Sequence, residues 1–116
     1  MGEGWGLTSI EHAITGNAQI VPNHSACSEI FQDVGLLVGA PIPYTLDNIM
    51  TTGYLVDINK LANTMQFCYE NTEEVAKLGK QGLLKFSSPE YSWERISNRW
   101  YDIFKEAIDG TKMADE

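Results

Sequence analysis

The residues best placed to do chemistry stand together near the start of the chain, in Glu3-Gly4-Trp5-Gly6-Leu7-Thr8-Ser9-Ile10-Glu11. The pattern predicts a glycine-containing turn that runs into a helix. The first amides of a helix have no partner within it, and the macrodipole leaves partial positive charge there, so the position suits a phosphate. Glycines at 4 and 6 allow a ligand close to the backbone. Glu3 and Glu11 flank the turn, and carboxylates accept hydrogen bonds from sugar hydroxyls. Amides for a diphosphate with acids on either side suit a nucleotide sugar. The same residues also have a plainer reading, in which Thr8 caps the helix, Glu11 completes a capping box and Glu3 is solvated.

Other groups offer less. His12, His24, Cys27 and Cys68 lack a metal-ligand spacing, since His24-x-x-Cys27 leaves two ligands unsupplied, and no metal is expected. Ser9 and Ser25 have no surrounding Gly-x-Ser-x-Gly turn, which argues against a hydrolase elbow.

The elements around the turn follow from the hydropathy pattern. A helix is expected over 8–15, with Ile10, Ala13 and Ile14 buried and Gly16-Asn17 ending it. Gln19-Ile20-Val21 reads as a short strand stopped by Pro22-Asn23. A helix over 25–31 and a buried strand at Leu36-Leu37-Val38 follow. Residues 40–52 read as a long loop, and 53–56 as a third extended piece. Asp57 caps a helix to about Tyr69, whose apolar stripe is Ile58, Leu61, Met65 and Cys68. Asn71 caps the next helix, with Glu73 and Glu74 in its first turn. Gly79 and Gly82 in that helix imply close packing of another element, since each costs roughly 1 kcal/mol against alanine. Ser92 opens a last helix to about Ile108, striped by Trp93, Ile96, Trp100, Ile103, Phe104 and Ala107 and ended by Gly110. That stripe reads as core, or as a docking face.

Short buried strands between helices define an α/β class with a parallel sheet. A doubly wound domain starts with strands, whereas this sequence starts with a turn and a helix. It therefore reads as the second half of a Rossmann-like sheet with C-terminal helices, one partial domain over 1–116.

Composition narrows the partners. The 116 residues hold 16 acidic and 8 basic side chains, a formal charge of −8. Such a surface disfavours nucleic acid and anionic lipid. The first basic residue is Lys60, so a phosphate near the N-terminus must rely on backbone amides or on a cation from elsewhere. Two cysteines in 116 residues do not make a disulfide scaffold, and both are read as reduced and buried. No signal peptide and no membrane span are visible, which makes the cytoplasm the expected location.

The spacing Glu3-x7-Glu11, with Gly6 at the mouth of the helix, resembles the E-x7-E motif of the retaining glycosyltransferases of GT-B fold (group 1, family 4 type). That family includes sucrose synthases and bacterial mannosyltransferases. Residues 16–23 (Gly-Asn-Ala-Gln-Ile-Val-Pro-Asn) are similar to the turn, strand and small-residue loop that follow the motif helix. Glu29-Ile30 stands where the family often has a Glu-Ile or Glu-Leu pair. Gly35-Leu36-Leu37-Val38 resembles its next strand, Asp57 to Ala62 its D-x-x-x-L-A helix start, and Ser92 to Ile96 its S-W-x-x-I. The resemblance covers nearly the whole chain, although residues 40–52 are longer than the family's loop.

The resemblance implies a role for each motif residue. Glu3 would be the catalytic-site carboxylate facing the donor sugar. Gly4, Trp5, Gly6, Leu7 and Thr8 would line the sugar and diphosphate, and Glu11 would accept from the ribose hydroxyls. No cofactor is implied beyond the nucleoside diphosphate sugar donor. The acceptor-binding N-terminal domain and the basic pair that meets the leaving phosphate are absent from this sequence, so the chain is expected to be inactive alone. Unpaired strand edges lead to an expected homo-oligomer, joined at the sheet edge or by exchange of an element. A different class of function also fits the residues: a non-catalytic interaction module or split subunit, binding through the sheet edge and the tryptophan stripe.

Overall fold

The structure is a computed structural model that describes residues 4–46 and 50–114. The chain divides into two compact units, Met1–Lys85 and Phe86–Glu116.

The first unit is mixed α/β. Helix α1 (Leu7–Ala13) leads into strand β1 (Gln19–Asn23), helix α2 (Ser25–Phe31) and strand β2 (Gly35–Gly39). β1 and β2 are parallel, in a register from Gln19↔Gly35 to Asn23↔Gly39. The core is small: Ile10, Ala13, Val21, Ile30, Phe31, Val34 and Val38 are buried. The two expected strands are present and parallel, but of their apolar runs only Val21 and Val38 are buried, while Leu36 and Leu37 are half-buried and Ile20 is exposed.

β1 extends through Pro22 and Asn23, where a stop was expected. Proline lacks an N–H, and it is tolerated here because β1 pairs with β2 alone among the described residues, which makes it an edge strand. α1 also differs at both ends. It starts at Leu7 with Gly6 as its N-cap, and no side-chain oxygen caps it, so the expected box between Thr8 and Glu11 is not formed. Ile14 follows the helix and is exposed rather than buried.

Residues 47–49 of the expected loop lie outside the described residues, and most of the described part of 40–52 is strand rather than loop. An antiparallel hairpin forms from β3 (Ile42–Leu46) and β4 (Thr51–Leu55), paired from Ile42↔Leu55 to Leu46↔Thr51. The hairpin is an insert between β2 and the following helix. The Asp57 N–H donates to the Gly39 carbonyl oxygen at 2.9 Å, so the two ends of the insert meet.

Helix α3 (Ile58–Glu70) starts as expected: the Asp57 carboxylate accepts from the Asn59 and Lys60 amides at 3.0 and 3.1 Å. Asp57→Ala is expected to cost about 1 kcal/mol, the usual worth of an N-cap, read as a lower urea midpoint at unchanged slope. The expected stripe of α3 is not buried, with Ile58 80% exposed and Met65 59% exposed. A hollow of about 380 Å³ beside β2 is lined instead by Lys60, Asn63, Thr64 and Phe67. The tie at Asp57 fixes which face of α3 meets the strand, and that face is the more polar one.

Helix α4 (Thr72–Phe86) follows directly. Asn71 serves both helices, but not by capping the second with its side chain. Its amide group donates to Phe67 O at 2.9 Å and closes α3, while its backbone carbonyl accepts from the Val75 N–H. Gly79 lies against the turn between α1 and β1, where a side chain would overlap the Gly16 carbonyl oxygen. That contact is the close packing the two glycines implied. Lys85 fastens the far end of α4 by donating to Ile30 O at 2.7 Å.

The second unit consists of a single 3-10 turn (Pro89–Tyr91) and helix α5 (Trp93–Ala114). Phe86 and Tyr91 meet edge to face at 5.1 Å. Ser92 caps α5, accepting the Arg95 N–H at 3.2 Å. The helix runs on through Gly110, where an end was expected, and its tryptophans are exposed. Gly110 is a weak helix former but not a breaker: its cost of roughly 1 kcal/mol is small beside the hydrogen bonds of a 22-residue helix.

Candidate functional site

Gly6 sets the geometry of the predicted site. It adopts the left-handed conformation, φ 69° and ψ 51°, which disfavours side-chain-bearing residues. Its carbonyl accepts from Ser9 and Ile10 at 3.1 and 3.3 Å. This leaves Leu7 and Thr8 as the first two helical amides, which have no acceptor one turn back within the helix. Gly6 is buried, while Gly4, Trp5, Leu7, Thr8 and Glu11 are exposed around it. Thr8 and Glu11 are three apart in the helix and share its outer face. Glu3 lies outside the described residues. The structure thus brings Gly4 to Glu11 into one short exposed turn and helix start.

The C-terminal ends of β1 and β2 form a second relevant place, because ligands of open α/β sheets bind beyond the carboxyl ends of the strands. His24 follows β1 directly, and its ring lies 4.5 Å from that of Tyr54 on the hairpin. Lys60 reaches the end of β2: its ammonium would be 3.7 Å from a Cβ placed on Gly39. The first cation of the sequence therefore stands at the strand-end edge. Neither His24–Tyr54 nor Lys60 was assigned to the site by sequence. The alternation of Ile42, Tyr44 and Leu46, followed by the β-formers Thr51, Thr52 and Tyr54, is the signal that could have found the hairpin.

A hollow of about 360 Å³ lies instead at the Gly35 end of β2, lined in part by Gln32, Asp33, Glu74, Lys77 and Gln81. It is at the amino end of the strand, at the opposite end from Lys60 and Gly39.

His12 is exposed, but its Nδ1 is hydrogen-bonded to the Gln19 side-chain nitrogen at 2.9 Å. That nitrogen also donates to Asn17 O and Ala18 O, which satisfies the buried Gln19 side chain. Cys27 and Cys68 are not joined in a disulfide, and both are half-buried rather than buried. Among the described residues, no three His, Cys, Asp or Glu side chains are grouped to hold a metal. Among the same residues, no helix is long and apolar enough to cross a membrane.

No family model, no curated protein and no solved structure matches the chain.

Proposed function

We propose that the chain is the donor-binding part of a retaining, nucleotide-sugar-dependent glycosyltransferase, built on the second half of a Rossmann-like sheet of GT-B type and working in the cytoplasm. The observation that carries this reading is the left-handed Gly6 that opens α1 within the order helix, strand, helix, strand, with β1 and β2 parallel. In this reading the Leu7 and Thr8 amides meet the diphosphate, Glu3 faces the donor sugar and Glu11 accepts from the ribose. Negative charge develops on the leaving phosphate during transfer, and fixed amides and cations stabilise it. Lys60, at the end of β2, is the cation this chain contributes to that edge. An acceptor-binding domain completes the enzyme.

The test is a titration of the isotope-labelled chain with uridine, guanosine and adenosine diphosphate sugars, followed by amide NMR. Shifts confined to Gly4–Glu11 and the strand ends are expected with at least one base. Glu11→Ala should weaken that binding by about 1.5–3 kcal/mol, the cost of removing a hydrogen bond to a charged acceptor. Unmoved amides at Gly4–Glu11 across the panel, at millimolar ligand, would sink the reading. One observation favours the second reading, an interaction module without catalysis: the aromatic face of α5 is exposed.

A further inference from the structure

Helix α5 carries an apolar face that is out of proportion to an isolated surface helix. Trp93 is 76% exposed, Trp100 54% and Phe104 58%. Together with Ile96, Ser97 and Tyr101 they line an open groove of about 410 Å³. Trp100 and Phe104 rest against each other at 5.5 Å, one turn apart, so part of the face is already ordered.

Three residues of the groove, Trp93, Ile96 and Trp100, belong to a regular series that continues along the helix. Trp93, Ile96, Trp100, Ile103, Ala107 and Gly110 recur at alternating intervals of three and four, the seam of a two-helix coiled coil. Two copies laid antiparallel place Trp93 opposite Gly110, Ile96 opposite Ala107 and Trp100 opposite Ile103, with the mirror contacts repeated by symmetry. Every layer then pairs a larger side chain with a smaller one. A parallel arrangement instead stacks tryptophan on tryptophan and glycine on glycine, which crowds two layers and empties a third.

Charge selects the same arrangement. In the antiparallel register Arg99 of each copy flanks the seam beside Glu106 of the other. Among the described residues neither is in an ion pair within its own chain. In the parallel register Arg99 faces Phe104 instead. α5 is also electrically neutral, since Arg95, Arg99, Lys105 and Lys112 balance Glu94, Asp102, Glu106 and Asp109. The net −8 of the chain therefore resides outside the helix, and two copies of α5 approach without that repulsion.

We infer that α5 is a self-association surface, which joins two copies of this chain as an antiparallel pair of α5 helices with reciprocal Arg99–Glu106 contacts. This places association at α5 rather than at the sheet edge, and it holds whether or not the chain binds a nucleotide sugar.

Light scattering during size-exclusion chromatography tests it at tens of micromolar chain. The wild type is expected at twice the 13.0 kDa chain mass. Arg99→Glu and Glu106→Arg each put like charges together twice, and each should weaken self-association about tenfold or more. Mixing the two variants restores both attractive contacts and should return the dimer mass. Only a symmetric antiparallel register gives that recovery, and far-UV circular dichroism of each variant checks that its helices persist. A wild type of single-chain mass would overturn the proposal. So would a dimer insensitive to both variants, or variants that stay monomeric when mixed.

Discussion

Phe31→Ala is expected to unfold the first unit under mild conditions. Phe31 is the largest side chain fully removed from solvent, and it closes α2 at the point where the chain turns toward β2. Its neighbours in the core are few and mostly smaller, so little can move in to fill the space. Truncating a buried phenylalanine typically costs about 3–5 kcal/mol, from lost transfer energy and the cavity left behind. Small domains have about 5–15 kcal/mol in total. A shift of that size lowers the midpoint of a domain this small by roughly 15 °C or more. Thermal unfolding followed by circular dichroism reads it directly. A midpoint within a few degrees of wild type would show that the stability resides elsewhere.

A pair of alanine substitutions in α4 should move stability in opposite directions. At Gly79 a Cβ overlaps the Gly16 carbonyl oxygen and comes within 2.9 Å of the Ala18 nitrogen. Both are backbone atoms, which cannot rotate away, so Gly79→Ala must push α4 off the turn. Overpacking of this kind costs about 1–3 kcal/mol, more than the gain of roughly 1 kcal/mol from replacing a helical glycine. At Gly82 the nearest atom is the Ala13 Cβ at 3.7 Å, an ordinary contact. Gly82→Ala should therefore stabilise by about 0.5–1 kcal/mol. Urea melts of the two variants decide it. Equal effects would mean that α4 does not rest on the turn through Gly79.

The contrast between these glycines shows what was legible in the sequence. Their presence in a helix announced that something packs closely, but not which of them it touches, because that depends on residues sixty positions away. Local signals did well elsewhere: Asp57 and Ser92 open their helices, and α2 spans Ser25–Phe31 as its pattern suggests. They failed where geometry competes with residue type. Thr8 is a better capping side chain than glycine, yet Gly6 takes the cap because its left-handed backbone starts the helix one residue earlier. The first strand of the hairpin was hidden by Pro43, a poor strand former, which cross-strand pairing overrides. The apolar stripe of α3 was correct as a pattern and wrong as a direction, since helix periodicity gives a face but not its partner. In the candidate site the turn at Gly4–Thr8 could be read from local chemistry. Lys60 at the end of β2 could not, because only the fold brings it there.

The hairpin between Gly39 and Asp57 enters and leaves the fold at one point, where a backbone hydrogen bond joins its two ends. A segment whose ends already touch can be lengthened, trimmed or exchanged without re-laying the strands and helices on either side. Residues 40–56 are thus a cassette, mounted where β2 ends and against His24. Recombining that cassette alone would give the scaffold a different rim at little cost to its frame.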